Sequence, residues 1–409
     1  MTKIKPFKAL RPVRDLVHLV ATRPYYSYKK NVLKAKLEDN PFTFLHIINP
    51  EFGSSIKTKP NSTERFQLVK DQYAAFIKEG ILFEDQEETI YIYRQTKNGH
   101  AFTGIVAGAS VEEYDNDLIK KHEATLTSRE AMFTNYLDIV GYNAEPVLLS
   151  FPHDEKVDAI IQKATSVRPE YEFTTTDRIK HELWVLTQDE KDAIILAFDK
   201  IEATYIADGH HRSASSAALA KIRSTNPLTP NKDFFLSYFI DEQRLKILEF
   251  NRIVKTLNGL SKEAFLEKLK NSFEISNISS SQKPAHEHQM TMCLEGDWYI
   301  LDCKKSIVDE NHPVKCLDPE ILTQFVLTPI LGIHDLKTDE NIEFVSGAES
   351  ISSIEEKVTK GKFKIAFILF PVSMEQVKRV ADNQMIMPPK STWVEPKMRS
   401  GLTIYNINE

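Results

Sequence analysis

Residues 205–220 read YIADGHHRSASSAALA. Five consecutive positions hold an acid, a glycine, two histidines and an arginine: Asp208, Gly209, His210, His211 and Arg212. These residue types suit phosphate chemistry. Arg212 offers a planar fork of donors that matches phosphate oxygens. His210 and His211 can act as acid, base or donor near neutral pH. Asp208 can accept a hydroxyl proton, hold a metal through water, or orient a histidine. Gly209 lets the backbone come close to a ligand.

The flanking residues say what must position this set. TYIA before it has strand character, and SASSAALAKIR after it has helix character. The motif therefore sits where a strand ends and a helix begins. A helix N-terminus presents free N–H groups and a partial positive charge, so it receives anions readily. Ser213, in the first turn, adds a hydroxyl. A purely structural reading competes, because Asp at a helix start is a common N-cap. Zinc is a weaker reading: adjacent histidines rarely face one ion, and no matching ligand cluster is evident. No metal held by protein ligands alone is expected. Magnesium carried in with a nucleotide (ATP or ADP) is easier to support.

Three further polar clusters are candidates. IKKHEATLTSRE, residues 119–130, carries Lys121, His122 and Glu123. Read as helix, it places Lys121 and Thr125 on one face. It then forms either a solvated surface or a second basic wall with Glu123 as general base and His122 beside it. LRPVRD and TRPYYSY bring Arg11, Arg14, Arg23, Tyr25 and Tyr26, which could hold an anionic or aromatic ligand or form surface ion pairs. PPKSTWVEPKMRSG, residues 388–401, is stiffened by prolines and offers Lys390, Ser391, Thr392, Lys397 and Arg399. Lys390 is the residue assigned to phosphate there. Neither GxxxxGK[ST] nor GxGxxG occurs, so the standard nucleotide folds are not indicated.

The 409 residues suffice for two to three domains at about 150 residues each. With 58 acids against 52 bases, the chain argues against nonspecific nucleic-acid binding. Neither a signal peptide nor a membrane span is expected, and Cys293, Cys303 and Cys316 form no CxxC pair, which fits a reducing cytoplasm. A small-molecule substrate and a nucleotide are the expected partners, with no membrane; a homodimer is left open.

Local patterns predict the elements. TERFQLVKDQYAAFIKEG reads as an amphipathic helix, and ETIYIYRQTKNGHAFTGIVAGAS as a hairpin turning at Asn98-Gly99. NPFTFLHIINPEF has the composition of a buried strand, and EPVLLSF that of a central one. Residues 111–141 suggest helices broken around Thr125. KDFFLSYFID and LKILEFNRIV read as a strand pair, SKEAFLEKLKNSFEIS as a helix, and MTMCLEGDWYILDC as a hairpin. Asp318 is expected to cap a helix beginning at Pro319. The class is mixed α/β (α+β). Residues 1–258 form an N-terminal α/β domain carrying the DGHHR site, and residues 259–409 a C-terminal α/β domain with a tail able to return to it.

The blocks PFKALRP, NPFTFLHIINPE, IKKHEATLTSRE, EPVLLSF, HELWVL, YIADGHHRSASS, LDPEILTQFVLTPILGI and MPPKSTWVEPKMRSGL occur in this order. Together they resemble the domain of unknown function 1015 family of bacteria and archaea, nearly end to end. The strand, Gly-x-His-Arg and small-residue helix also resemble the nucleotide-binding turn of the ParB and sulfiredoxin superfamily, which includes free-serine kinases. That likeness implies a ParB/sulfiredoxin-like nucleotide-binding core. It implies phosphate contacts from Gly209, His211 and Arg212, with Asp208 and His210 catalytic or metal-facing. The sulfiredoxin cysteine is replaced by His210, which argues against sulfinic-acid reduction. The expected activity is transfer of a phosphoryl group between a nucleotide and a small hydroxyl compound such as serine. Phosphomonoester hydrolysis and a non-enzymatic nucleotide-binding regulator are the alternatives.

Overall fold

A computed structural model describes residues 2–55, 57–224 and 229–409. The fold is α+β, and the chain divides into two compact units. One holds residues 1–121, 125–245 and 396–409; the other holds residues 122–124 and 246–395. The division thus falls at 245/246 and again at 395/396, where the sequence suggests one boundary near 258.

The first unit is built on a nine-stranded sheet. Its strands run in the order Ile119–Lys120, Thr204–Asp208, Val147–Phe151, Phe234–Asp241, His100–Ser110, Tyr91–Lys97, Lys180–Val185 and Tyr171–Thr174, with Ile4–Lys5 pairing His100–Ser110 off this path. Val147–Phe151 is buried along its whole length and paired on both sides. That explains its unbroken apolar sequence, because neither face meets water. The Tyr91–Lys97 and His100–Ser110 strands join through Asn98 (φ 50°) and Gly99 (φ 77°). Both residues have positive φ, the turn that Asn-Gly favours and that matches strand twist.

Thr127–Val140 packs on the helix that begins at the motif, and Thr63–Lys78 packs on Thr127–Val140 in turn. Thr63–Lys78 is capped by Ser62, whose hydroxyl accepts from Arg65 N, and buries Phe66, Val69 and Phe76. Phe66 meets Tyr136 of the Thr127–Val140 helix edge to face at 5.2 Å. The motif helix, His210–Ile222, buries Ser213, Ala214, Ser216, Ala217 and Ala220. Small side chains let its backbone approach closely: Thr134 Oγ1 donates to Ser215 O at 3.4 Å. A smaller sheet orders Leu82–Glu84, Ala9–Pro12, Ile404–Asn406 and Tyr142–Asn143, so the returning tail supplies one of its inner strands.

The second unit has a six-stranded antiparallel sheet ordered Phe273–Ile278, Asp297–Cys303, Gln289–Leu294, Ile365–Ile368, Phe250–Val254 and Ile342–Ser346. Apolar clusters lie on both faces: Val254, Met292 and Phe367 on one, Ile253, Cys293 and Ala366 on the other. The hairpin at Glu295-Gly296 forms as its sequence suggests. Cys293 lies opposite Trp298 and Cys303 opposite Phe273, and all three cysteines are free.

Several local expectations are corrected. Residues 40–52 contain no strand; Leu45–Ile48 is a short helix, with Asn40 and Asn49 side chains bonding backbone carbonyls at 2.8 and 2.9 Å. Such Asn bonds compete with a ladder. Residues 119–126 are not helical. Ile119–Lys120 is a strand and the next helix starts at Thr127, so Lys121 and Thr125 share no helix face. The segments 232–241 and 245–254 do not pair, because Lys246–Leu248 pairs Trp393–Glu395 and Phe250–Val254 joins the second unit's sheet. The helix expected over 261–276 ends at Leu269 and is followed by a strand. Asp318 does not cap its helix by a side-chain bond; it accepts from His288 N at 3.0 Å. Among the described residues, no helix is long and apolar enough to cross a membrane.

Candidate functional site

The motif strand Thr204–Asp208 lies between Ile119–Lys120, parallel to it, and Val147–Phe151, antiparallel. The register with Val147–Phe151 shifts between Ile206 and Asp208. Such an irregularity re-aims a side chain at a strand end. The chain then turns through Gly209 at φ 109° and enters the helix at His210. Gly209 is the N-cap and no side chain caps this helix, so Asp208 does not play the capping role. First-turn N–H groups with no side-chain cap form an anion-receptive end.

Gly209 is required here twice over. Its backbone conformation is strained for any L side chain. A Cβ would also lie 3.0 Å from Arg212 Nε and 3.1 Å from Nη2, because the guanidinium folds back over the glycine. Gly209→Ala is therefore expected to destabilise the protein by about 1–2 kcal/mol. It should also push Arg212 outward. Urea unfolding of the variant checks the first effect; an unchanged midpoint would contradict the geometry.

Arg212 sits among acids. Its Nη1 pairs with Glu145 Oε1 at 2.8 Å, and its Nη2 lies 3.7 Å from Asp208 Oδ1. Lys397 Nζ pairs with Asp208 Oδ2 at 2.9 Å. Ser400 Oγ donates to Glu145 Oε2 at 3.2 Å, and Gln95 Nε2 donates to Lys397 O at 3.2 Å, anchoring the returning tail. All four charged side chains are half-buried, between 21 and 29% exposed. They are held in place yet open to solvent.

The two carboxylates differ. Burial pushes the Asp208 carboxyl up, but Lys397 and Arg212 outweigh burial and hold it well below the usual carboxylate range. Burial raises Glu145, Asp208 adds to the rise, and Arg212 only partly opposes it. The environments of the two acids thus push them in opposite directions, Asp208 toward the anion and Glu145 above the ordinary carboxylate value. Burial lowers the Arg212 guanidinium, but Glu145 and Asp208 raise it overall. It stays charged.

The flanking motifs are placed as follows. His210 is buried, contributes to holding Asp208 low, and accepts Ser213 Oγ at its carbonyl at 3.0 Å. His211 is half-buried and its carbonyl accepts Ser215 Oγ at 2.7 Å. Ser213 is fully buried; beyond His210 O, its hydroxyl interacts with the Tyr114 phenol. Burial pushes that phenol up to about 12. Lys121 Nζ lies 4.1 Å from the Tyr114 ring and donates to Tyr114 O at 2.8 Å. Tyr114 thus links Lys121 to the motif helix. Tyr25 and Tyr26 are exposed on a short turn with rings 6.1 Å apart, and the Tyr26 phenol lies in the field of Glu145, Asp208 and Arg212.

His122, Glu123 and Lys390 belong to the second compact unit. His122 is buried and its carbonyl accepts Met387 N at 2.9 Å; Glu123 is exposed; Lys390 Nζ lies 5.4 Å over the Phe250 ring. Arg11 is spent on Asp85 at 2.7 Å and Glu170 at 3.2 Å. The tail lysine that pairs with Asp208 is Lys397. Glu145 and Lys397 are the residues that sequence reasoning left out of the site. An acid two residues before a buried strand, and the Lys-Met-Arg step in the tail, were the available signals. Among the described residues, no three His, Cys, Asp or Glu side chains are grouped to hold a metal ion.

The family model described as "Protein of unknown function (DUF1015)" matches residues 4–320. No curated protein matches the chain. Among solved structures, the chain is similar to a free serine kinase in complex with AMP (12% identity, 73% of this chain and 91% of that chain, TM-score 0.37). It is also similar to SbnI with a C-terminal truncation from Staphylococcus aureus (13% identity, 73% and 87%, TM-score 0.39). A third is a conserved hypothetical protein from Pyrococcus furiosus (14% identity, 73% and 95%, TM-score 0.34).

Proposed function

Because this chain belongs to the family of unknown function numbered 1015, whose model spans the DGHHR turn, we propose that the turn binds nucleotide phosphates and that the protein is a phosphotransferase. It moves a phosphoryl group between a nucleotide, ATP or ADP, and a small hydroxyl metabolite of the serine type. One observation carries this reading: a helix N-terminus without a side-chain cap, a guanidinium and an ammonium meet at one half-buried turn. Phosphoryl transfer is mainly positioning and electrostatic stabilisation, which such a set supplies.

The roles follow from the charges. The first-turn N–H groups and Arg212 hold phosphate oxygens, and His211 adds a donor. Lys397 balances the anionic Asp208 and the transferred group. Glu145 replaces Asp208 and Glu123 as the preferred acceptor of the hydroxyl proton, since Asp208 is held too acidic to take it. Asp208 and Glu145 are oxygen donors that suit magnesium, which would remain bound chiefly to phosphate and water and would supply charge neutralisation. The exposed Tyr25 and Tyr26 rings suit stacking with a base.

A thermal-shift series with ATP, ADP, CTP, serine and phosphoserine, with and without magnesium, tests the binding half. Stabilisation by a nucleotide, followed by phosphoryl transfer to serine, is the expected result. Phosphate release from phosphoserine with no nucleotide present would replace the kinase with a phosphatase. Nucleotide binding without turnover would leave a regulator.

Lys397→Met provides a pH test. Lys397 holds down Glu145, the proton acceptor, as well as Asp208, so without it the Glu145 carboxyl rises further. The acid limb of the activity profile, set by Glu145, should therefore shift to higher pH, with activity at pH 7 reduced. An acid limb at the wild-type position would remove Glu145 from the proton-accepting role.

A further inference from the structure

The second unit contains an arginine that pairs with no carboxylate among the described residues. Arg252 lies on the Phe250–Val254 strand, opposite Phe344 on one neighbour and Phe367 on the other. It is fully buried. Its Nη1 donates to Phe250 O, and the guanidinium stacks 5.3 Å from the Phe344 ring centroid. Nε and Nη2 have no hydrogen-bond partner, and no carboxylate pairs with Arg252 among the described residues. The acid nearest in sequence, Glu249, is committed to Lys283 at 2.8 Å.

A buried, unpaired guanidinium is costly, and structures normally pair it or hydrogen-bond it. The two vacant donors are not scattered. Nε–H and Nη2–H share one edge of the guanidinium, the edge that grips a carboxylate through two parallel bonds. Phe250 and Phe344 stand 6.5 Å apart beside it, and Trp393 packs on Phe250 at 5.5 Å. Trp393 lies on a separate two-stranded ribbon with Lys246–Leu248, and the exposed Lys390 reaches over Phe250 from the same segment.

We infer that Arg252 is the anchor of a ligand site in the second unit, which takes the carboxylate of a small organic acid on the Nε/Nη2 edge and its apolar body against Phe250 and Phe344. A single desolvated positive charge balances a monoanion, which favours a carboxylate over a phosphate dianion. This site is independent of the phosphate turn, and its failure would leave that assignment untouched.

The test uses the full chain and benzoate as probe, against sodium chloride at matched ionic strength. Benzyl alcohol serves as the same ring without the charge, and inorganic phosphate as the other oxyanion. The melting temperature of the wild type should rise saturably with benzoate and stay flat with benzyl alcohol and phosphate. Arg252→Met should melt higher than the wild type without ligand, since the unpaired charge is gone, and should not respond to benzoate. Should that variant fail to fold, Arg252→Lys carries the test: it keeps the charge, lacks the fork, and should lose most of the response. A flat wild-type response, a parallel rise in Arg252→Met or a full response in Arg252→Lys would overturn the site. So would a rise with benzyl alcohol equal to that with benzoate. A rise with phosphate alone would overturn the carboxylate class.

Discussion

Replacing Arg212 with methionine should reduce phosphoryl transfer by about 10²–10³-fold, the usual worth of a preorganised charge-stabilising donor. The same change should abolish stabilisation by nucleotide. The reason is local. Arg212 lies over Gly209 within reach of the first turn of its own helix, where Asp208 and Glu145 hold it at 3.7 and 2.8 Å. Its position is thus set before any ligand arrives. Arg212→Lys keeps the charge but not the planar fork, and should recover only part of the loss. Removing the arginine also leaves Glu145 and Asp208 facing each other, so Glu145 rises further. A stability loss of about 1–2 kcal/mol is expected from the half-exposed pair. Unfolding curves must therefore accompany the kinetics. A folded Arg212→Met protein with wild-type nucleotide binding would remove the phosphates from this turn.

The second large effect is on stability in acid. His181 is fully buried in the Lys180–Val185 strand. Tyr93 Oη meets its Nδ1 at 2.7 Å and Thr175 Oγ1 its Nε2 at 3.1 Å, with Phe173 stacked 4.9 Å away. Burial and then the nearby Arg399 push its pKa down to about 3, with Asp177 opposing. Arg399 is itself held by Asp177 at 2.8 Å. An unfolded histidine titrates near 6.5. Between roughly pH 6.5 and 3 the unfolded chain binds a proton that the folded chain refuses. The stabilisation is therefore complete above about 6.5 and disappears as pH falls to about 3. Its size is on the order of 4 kcal/mol at the low end. His153 beside Asp241 and His288 beside Asp318 are raised, so they act in the opposite sense. The effect is best read as a difference between wild type and His181→Phe. The variant should be less stable at pH 7, from lost hydrogen bonds, yet show a flatter slope below pH 6.5. Parallel slopes would assign acid unfolding to other groups.

What could be read from the sequence was what local physics fixes. The Asn98-Gly99 hairpin, the Ser62-capped helix and the strand–turn–helix around DGHHR depend on a few neighbouring residues, and they form where expected. Residues 40–52 mislead because apolar composition alone does not distinguish a buried strand from a short buried helix. Ile119–Lys120 becomes a strand through its partner Thr204–Asp208, information that lies elsewhere in the chain. The same limit hid two members of the site. Glu145 reads as the start of a core strand, and Lys397 is one of several cations in a proline-rich tail. Only the fold shows that one meets Arg212 and the other Asp208.

The pairing of Asp208 with Lys397 has a consequence for synthesis. The two residues are 189 positions apart, and most of the second compact unit lies between them. At roughly 5–20 residues per second, Asp208 leaves the ribosome about 10–40 s before its lysine. During that interval the motif helix can form, but its acid has only Arg212 and His210 to balance it. The DGHHR turn thus gains its lysine only after the second unit has emerged. A nascent chain halted before residue 397 should carry an intact DGHHR sequence and still lack the finished site.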